Sequence, residues 1–161
     1  MAATAPSPKS TRRPLGGRSI LVADRDQLAR TATGAILQRL GFEVVAVESS
    51  RAALAQARGG PYSCAILDLN LIEMGAFELC RRLLAKAGWD WTPVIFTSAR
   101  QPSLDLEVGM QAGGFAYLAK PFRADQLLAS VGDALASGGQ IQQARPDRAQ
   151  VLARAEAAVE G

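Results

Sequence analysis

The sequence predicts an α/β protein built on a doubly wound, five-stranded parallel sheet with helices on both faces. Three observations carry that expectation. Short continuous apolar runs recur along the chain, including Ile20-Leu21-Val22-Ala23, Cys64-Ala65-Ile66-Leu67 and Ala116-Tyr117-Leu118-Ala119. Such runs mark strands buried on both faces rather than one. Stretches with apolar residues at helical spacing separate them. Finally, four of the runs end on a polar side chain: Asp24, Asp68, Ser98 and Lys120.

Taken in order, strand 1 is expected over Ser19–Ala23. Asp26 reads as the N-cap of a helix that carries Leu28, Ala32, Ala35, Ile36 and Leu40 at helical spacing, and Gly41 stops it. Strand 2 follows at Phe42–Val47. Ser50 can cap a helix with Ala53, Leu54 and Ala57, closed by Gly59-Gly60-Pro61. Strand 3 is Ser63–Leu67. The spacing then predicts a helix over Ala76–Ala87 with Leu79, Cys80, Leu83 and Leu84 inward. Strand 4 is Pro93–Thr97, with Trp89 and Trp91 expected to pack ahead of it. A helix over Ser103–Ala112 ends at Gly113-Gly114. Strand 5 is Phe115–Ala119, and a last core helix covers Arg123–Ala136 with Leu127, Leu128, Val131 and Leu135 inward.

Right-handed crossovers leave few ways to wind such a chain. In an open parallel sheet, ligands bind outside the carboxyl ends of the strands. Two carboxylates, a hydroxyl and an ammonium should therefore converge on one crevice. That set suits a phosphoryl group and a divalent cation.

Composition bounds the function classes. The 161 residues are 48% hydrophobic and 20% charged, ordinary for one globular domain with tails. There is no histidine. A Ser-His-Asp triad, a Cys-His pair and a histidine-ligated zinc are thereby excluded, and the chain cannot itself carry a phosphohistidine. Cys64 and Cys80 read as reduced core thiols. No apolar run approaches membrane-spanning length and residues 1–17 lack a signal-peptide core, so the expected location is the cytoplasm, with no membrane partner. Residues 1–17 read as a disordered basic tail: Lys9, Arg12 and Arg13 stand there without an acid and account for the whole net charge of +3. Residues 18–138 form the domain. Residues 139–161 read as a linker and a short amphipathic helix through Val151, Leu152, Ala155, Ala158 and Val159, which could pack back or serve a homodimer.

The pieces ILVADRD at 20–26, AILDLNL at 65–71, PVIFTSA at 93–99 and AYLAKPF at 116–122, in that order, resemble a response regulator receiver domain of two-component signalling. The resemblance covers about residues 18–138. It implies a flavodoxin-like sheet of order 2-1-3-4-5. It makes Asp68 the phosphoacceptor and Lys120 and Ser98 the groups that meet phosphoryl oxygens. It assigns Mg²⁺ to Asp24, Asp68 and the backbone carbonyl of Asn70. Ser98 and Tyr117 would form the conformational switch, and the peptide before Pro121 would be cis. A histidine kinase or histidine phosphotransfer protein would be the donor and a downstream protein the target. The receiver would act as a phosphoacceptor rather than an enzyme, at most catalysing its own phosphorylation and dephosphorylation. The chain after Gly138 is too short for a DNA-binding domain, so none is expected.

The pattern breaks at Arg25, where the family places a second acid. A guanidinium has no acceptor and cannot coordinate a cation. If it points into the crevice, it can pair with Asp24 or Asp68 and stand in the metal's place. The alternative function is then a pseudo-receiver, a phosphorylation-independent binding module. The family also favours proline at Ile72 and glycine at Ala76, where a positive-φ turn would disfavour alanine. An aspartate-nucleophile phosphatase would need a second carboxylate just after the nucleophile; Asn70 and the short loops argue against it.

Overall fold

The computed structural model describes residues 18–89, 91–99, 108–109 and 111–137. The expectations for the basic tail, for the linker and amphipathic segment at 139–161, and for most of the helix at 103–112 lie outside these residues. Residues 108–109 and 111–112 are helical.

Five strands, β1 (Ser19–Ala23), β2 (Glu43–Val47), β3 (Cys64–Asp68), β4 (Val94–Ser98) and β5 (Ala116–Ala119), form one parallel sheet in the order β2-β1-β3-β4-β5. The described helices are α1 (Gln27–Arg39), α2 (Ser50–Ala57), α3 (Ala76–Leu84) and α4 (Ala124–Ser137). The expected sheet order and the α/β class are both present. Every residue of β3 and β4 is buried, which is why these strands read as unbroken apolar runs. The edge strand β2 has no fully buried residue: Glu43 and Ala46 are exposed and its three valines are partly buried.

Strand alternation divides the core in two. Leu21, Ala65, Leu67, Val94, Phe96 and Tyr117 face α2 and α3, meeting Ala53, Leu79, Cys80 and Leu83. Ile20, Val22, Cys64, Ile66, Ile95 and Leu118 face the other way, meeting Leu37 of α1 and Leu127, Val131 and Ala134 of α4. Both cysteines are buried free thiols, and burial pushes the Cys64 thiol up to about 12, so it stays neutral.

Several local expectations are corrected. In α1 the buried line is Thr33, Gly34 and Leu37, while Leu28 is 81% and Leu40 59% exposed. Gly34 faces β2, where a Cβ would meet Val44 at 3.7 Å, an ordinary contact. Asp26 does cap α1, accepting from the Ala29 N–H at 3.3 Å, and Gly41 ends it with φ 93°. The cap of α2 is Ser49, which accepts from the Ala52 N–H at 3.1 Å, and Ser50 lies buried in the first turn. Trp89 packs against Tyr62 with ring centroids 5.8 Å apart, but Trp91 is 38% exposed. The positive φ of the loop after β3 falls at Glu73 (76°), and Ala76 begins α3 without strain.

One close approach fixes the end of the sheet near β5. A Cβ on Gly114 would come within 2.4 Å of the Phe96 ring, and Gly114 N–H already donates to Gly109 O at 2.8 Å. We expect Gly114→Ala to cost about 1–3 kcal/mol through overpacking. Gly132→Ala, in α4 with nothing within 4 Å of the new Cβ, should be stabilising by about 0.5–1 kcal/mol. Urea denaturation of the two variants checks the contrast, and equal effects would contradict it.

Candidate functional site

Parallel pairing brings the four polar strand ends together. Ala23 pairs with Leu67, Asp68 with Thr97, and Ser98 with Ala119, so Asp24, Asp68, Ser98 and Lys120 share one edge of the sheet. They line a crevice of about 360 Å³ with Arg25, Asp26, Leu69, Asn70 and Ala99.

Its centre is the Lys120 ammonium, whose Nζ lies 2.8 Å from Asp24 Oδ2 and 2.7 Å from Asp68 Oδ1. The remaining contacts hold each carboxylate in place. Asp24 N–H donates to Val47 O (3.0 Å), and Asp24 Oδ1 accepts from the Asp26 N–H (2.9 Å). Arg30 Nη1 donates to the Asp24 main-chain carbonyl at 2.8 Å. Asp68 Oδ2 accepts from the Asn70 N–H (2.9 Å), and Oδ1 accepts a longer bond from the Thr97 hydroxyl (3.4 Å). Lys120 is seated by its own N–H, which donates to Ser98 O at 2.8 Å, and the peptide to Pro121 is cis as expected. Ser98 lies buried at the crevice wall, and the Tyr117 ring is turned into the core among Leu67, Phe96 and Cys80.

The crevice brings together Asp24, Arg25, Asp68, Asn70, Ser98 and Lys120, while Tyr117 lies in the core behind it. Arg25 lies exposed at the rim, and among the described residues it pairs with neither Asp24 nor Asp68. The cation that holds the two acids is Lys120. Two contributors were not picked out from sequence: Thr97 and Arg30. Thr97 looked like one more strand residue. Arg30 acts on a backbone atom across more than a helical turn, a contact no side-chain pattern announces.

Charge decides what the crevice can accept. Two nearly buried carboxylates share one ammonium, so their combined charge is only half balanced. Among the described residues no group of three His, Cys, Asp or Glu side chains is placed to hold a metal ion by itself. Two carboxylates are too few donors for a closed all-protein cage, and their hard oxygens suit the chemistry of a cation such as Mg²⁺, which keeps several waters. A soft metal finds no sulfur or imidazole here.

With this geometry in hand, the family is plain. The model of the response regulator receiver domain matches residues 20–132, and the chain belongs to that family. It is 31% identical over 121 residues to the sensory transduction protein RegX3 of Mycobacterium tuberculosis, covering 75% of this chain and 52% of that one. It is 36% identical over 132 residues to the transcriptional regulatory protein GltR of Pseudomonas aeruginosa, covering 80% and 53%. The chain spans about half the length of the curated relatives it matches. Among solved structures it resembles the chemotaxis response regulator CheY4 of Vibrio cholerae (TM-score 0.70, 26% identity, 74% of this chain and 99% of that one). It also resembles the receiver domain of a Pseudomonas aeruginosa sensor histidine kinase described with magnesium in its active site cleft (TM-score 0.69, 27% identity, 76% and 100%). Receiver domains are phosphoacceptor signalling modules of two-component systems, generally not enzymes. No helix among the described residues is long and apolar enough to cross a membrane.

The Lys120 pairing carries a pH signature. Burial alone would lower its pKa, but the hydrogen bonds and charges of Asp24 and Asp68 outweigh it and hold the group above its ordinary value. A group raised on folding stabilises fully below its unfolded value and loses that contribution as pH climbs through the folded one. Lys120→Met should therefore cost about 2 kcal/mol at neutral pH, discounted for a partly exposed ammonium. The gap to wild type should hold level to about pH 9.5 and close above about pH 10.5. Denaturation across that range checks it; a gap that closes between pH 7 and 9 contradicts it.

Proposed function

We propose that this chain is a phosphorylatable receiver: Asp68 takes a phosphoryl group from a phosphohistidine of a histidine kinase or histidine phosphotransfer protein, and the domain then signals by contact with a downstream protein. The observation that carries this reading is the Lys120 ammonium placed between the Asp24 and Asp68 carboxylates at the open edge of the sheet.

An Asp68 carboxylate oxygen attacks phosphorus, the phosphorus–nitrogen bond breaks, and the electron pair leaves with the imidazole, which is protonated. An acyl phosphate on Asp68 results. There is little covalent chemistry for the protein beyond this, so positioning and charge neutralisation supply the rate. Lys120 meets one phosphoryl oxygen as a point charge. The Ser98 hydroxyl meets another. Asp24, Asp68 and the Asn70 carbonyl would hold Mg²⁺, which neutralises charge on the transferring group. Arg25, lying outside the acid pair, removes one possible ligand without blocking the pocket, so metal binding is retained but weakened.

Ser98 and Tyr117 would relay occupancy. Ser98 faces the crevice, and the buried Tyr117 sits on the adjacent strand of the sheet, β5. The signalling face would be β5, α4 and the segment ahead of β5. The receiver unit would be residues 18–138 acting in the cytoplasm, with the basic tail and the 139–161 segment as accessory parts and homodimer contact through the latter as one use.

Intact-mass measurement after incubation with acetyl phosphate tests the proposal. We expect a Mg²⁺-dependent gain of one phosphoryl group, absent in Asp68→Asn and reached at lower Mg²⁺ in Arg25→Asp. Labelling that persists in Asp68→Asn would sink the assignment. Labelling of Arg25→Asp but not of wild type would favour a binding module that does not depend on phosphorylation.

A further inference from the structure

We propose that Ser50 is a positioning residue for Asp68, acting through the loop that carries Asn70; this rests on the phosphoacceptor reading and deepens it. Ser50 is fully buried in the first turn of α2. Capping does not need it, because Ser49 accepts the orphan Ala52 N–H. Its hydroxyl leaves the helix instead. It donates to Ile72 O at 3.0 Å, with Met74 O as a second, close acceptor. A hydroxyl carries one proton, so the two carbonyls share it, and both belong to the loop between β3 and α3.

That loop needs a clasp. Met74 N–H closes a tight turn onto Ile72 O at 2.9 Å, and Glu73 between them sits at φ 76°. A non-glycine residue in the left-handed region persists only where its surroundings over-determine it. Here α2 supplies the determination. Ser50 holds the carbonyls on either side of Glu73, and Glu73 Oε1 accepts the Arg51 N–H at 3.1 Å.

The near end of the same loop sets the nucleophile. Leu69 N–H is tied to Thr97 O at 2.8 Å, and Asn70 N–H donates to Asp68 Oδ2 at 2.9 Å. The Asn70 N–H on Oδ2 and the Lys120 ammonium on Oδ1 together fix the plane of the Asp68 carboxylate. The Asn70 amide is two residues from the Ser50 clasp. Freeing Ile72 and Met74 lets Asn70 drift and Asp68 rotate, which lowers the fraction of carboxylates aimed for attack.

The test is Ser50→Ala, which keeps a good helix former in α2. Amide hydrogen exchange is read on the metal-free protein. Acetyl phosphate labelling is then followed over a range of donor concentrations at saturating Mg²⁺. Exchange at Asn70 and Met74 should quicken, and the maximal labelling rate should fall about fivefold, the scale of one net hydrogen bond. The half-saturating donor concentration should stay put. Arg51→Ala, which keeps the backbone amide and removes only an exposed ion pair, should label as wild type does. A Ser50→Ala protein labelled at the wild-type rate would overturn the inference. So would slower labelling with Asn70 exchange unchanged, or with exchange raised evenly across the domain, since that is general loosening. A wild-type protein that takes no label brings down the phosphoacceptor reading and this inference with it, whereas labelled wild type beside an unaffected Ser50→Ala brings down the inference alone.

Discussion

One ammonium serving two nearly buried carboxylates is the constraint on which the rest of this molecule depends. Asp24 and Asp68 stand at the ends of adjacent strands, β1 and β3. Like charges this close in a poorly hydrated crevice repel strongly. The compensating cation comes from β5, two strands away from β3, a gap of about 10 Å at ordinary strand spacing. A lysine suits that reach: its four-carbon stem crosses over the end of β4 and delivers a compact charge to both acids. The same half-balanced charge that strains the resting site makes it receptive to a divalent cation and then to a phosphoryl group.

The two-faced core exists to hold those strand ends in register. Residues of β1, β3 and β4 alternate between the α2–α3 layer and the α1–α4 layer, so a slip of one residue would exchange the two layers. Gly114 against Phe96 pins the entry to β5, and hence the place from which Lys120 departs. At the far side of the crevice, α2 secures the loop after Asp68 through Ser50. Strand, helix and loop thus each constrain one member of the charged group.

Most of the sheet was legible in the sequence because burial on both faces writes a strong signal: β1 is found where the apolar run stands, and β3, β4 and β5 begin or end within one residue of theirs. The site was legible for a related reason. Asp24, Asp68, Ser98 and Lys120 each break such a run, and parallel topology puts run ends together. The inward face of α1 was not legible. Its buried line contains Thr33 and Gly34, neither of which a hydrophobic pattern picks out, whereas the apolar Leu28 and Leu40 face out. Two adjacent serines, Ser49 and Ser50, are indistinguishable as caps in one dimension; only the backbone shows which faces Ala52 and which faces the loop. The direction of Arg25 was open for the same reason, since a side chain at a strand-to-helix turn can leave on either side.

Arg25 at the rim and Lys120 at the centre together describe a receiver pocket with one acid fewer and its lysine in place. The central claim is that this crevice receives a phosphoryl group on Asp68. The most direct measurement is a titration of ¹⁵N-labelled protein with beryllofluoride, a phosphoryl mimic, followed by amide shifts with and without Mg²⁺. The account predicts Mg²⁺-dependent changes concentrated at Asp68–Leu71, Ser98–Ala99 and Lys120, and none in Asp68→Asn. Shifts that survive in Asp68→Asn, or a wild-type spectrum that never changes, would contradict it.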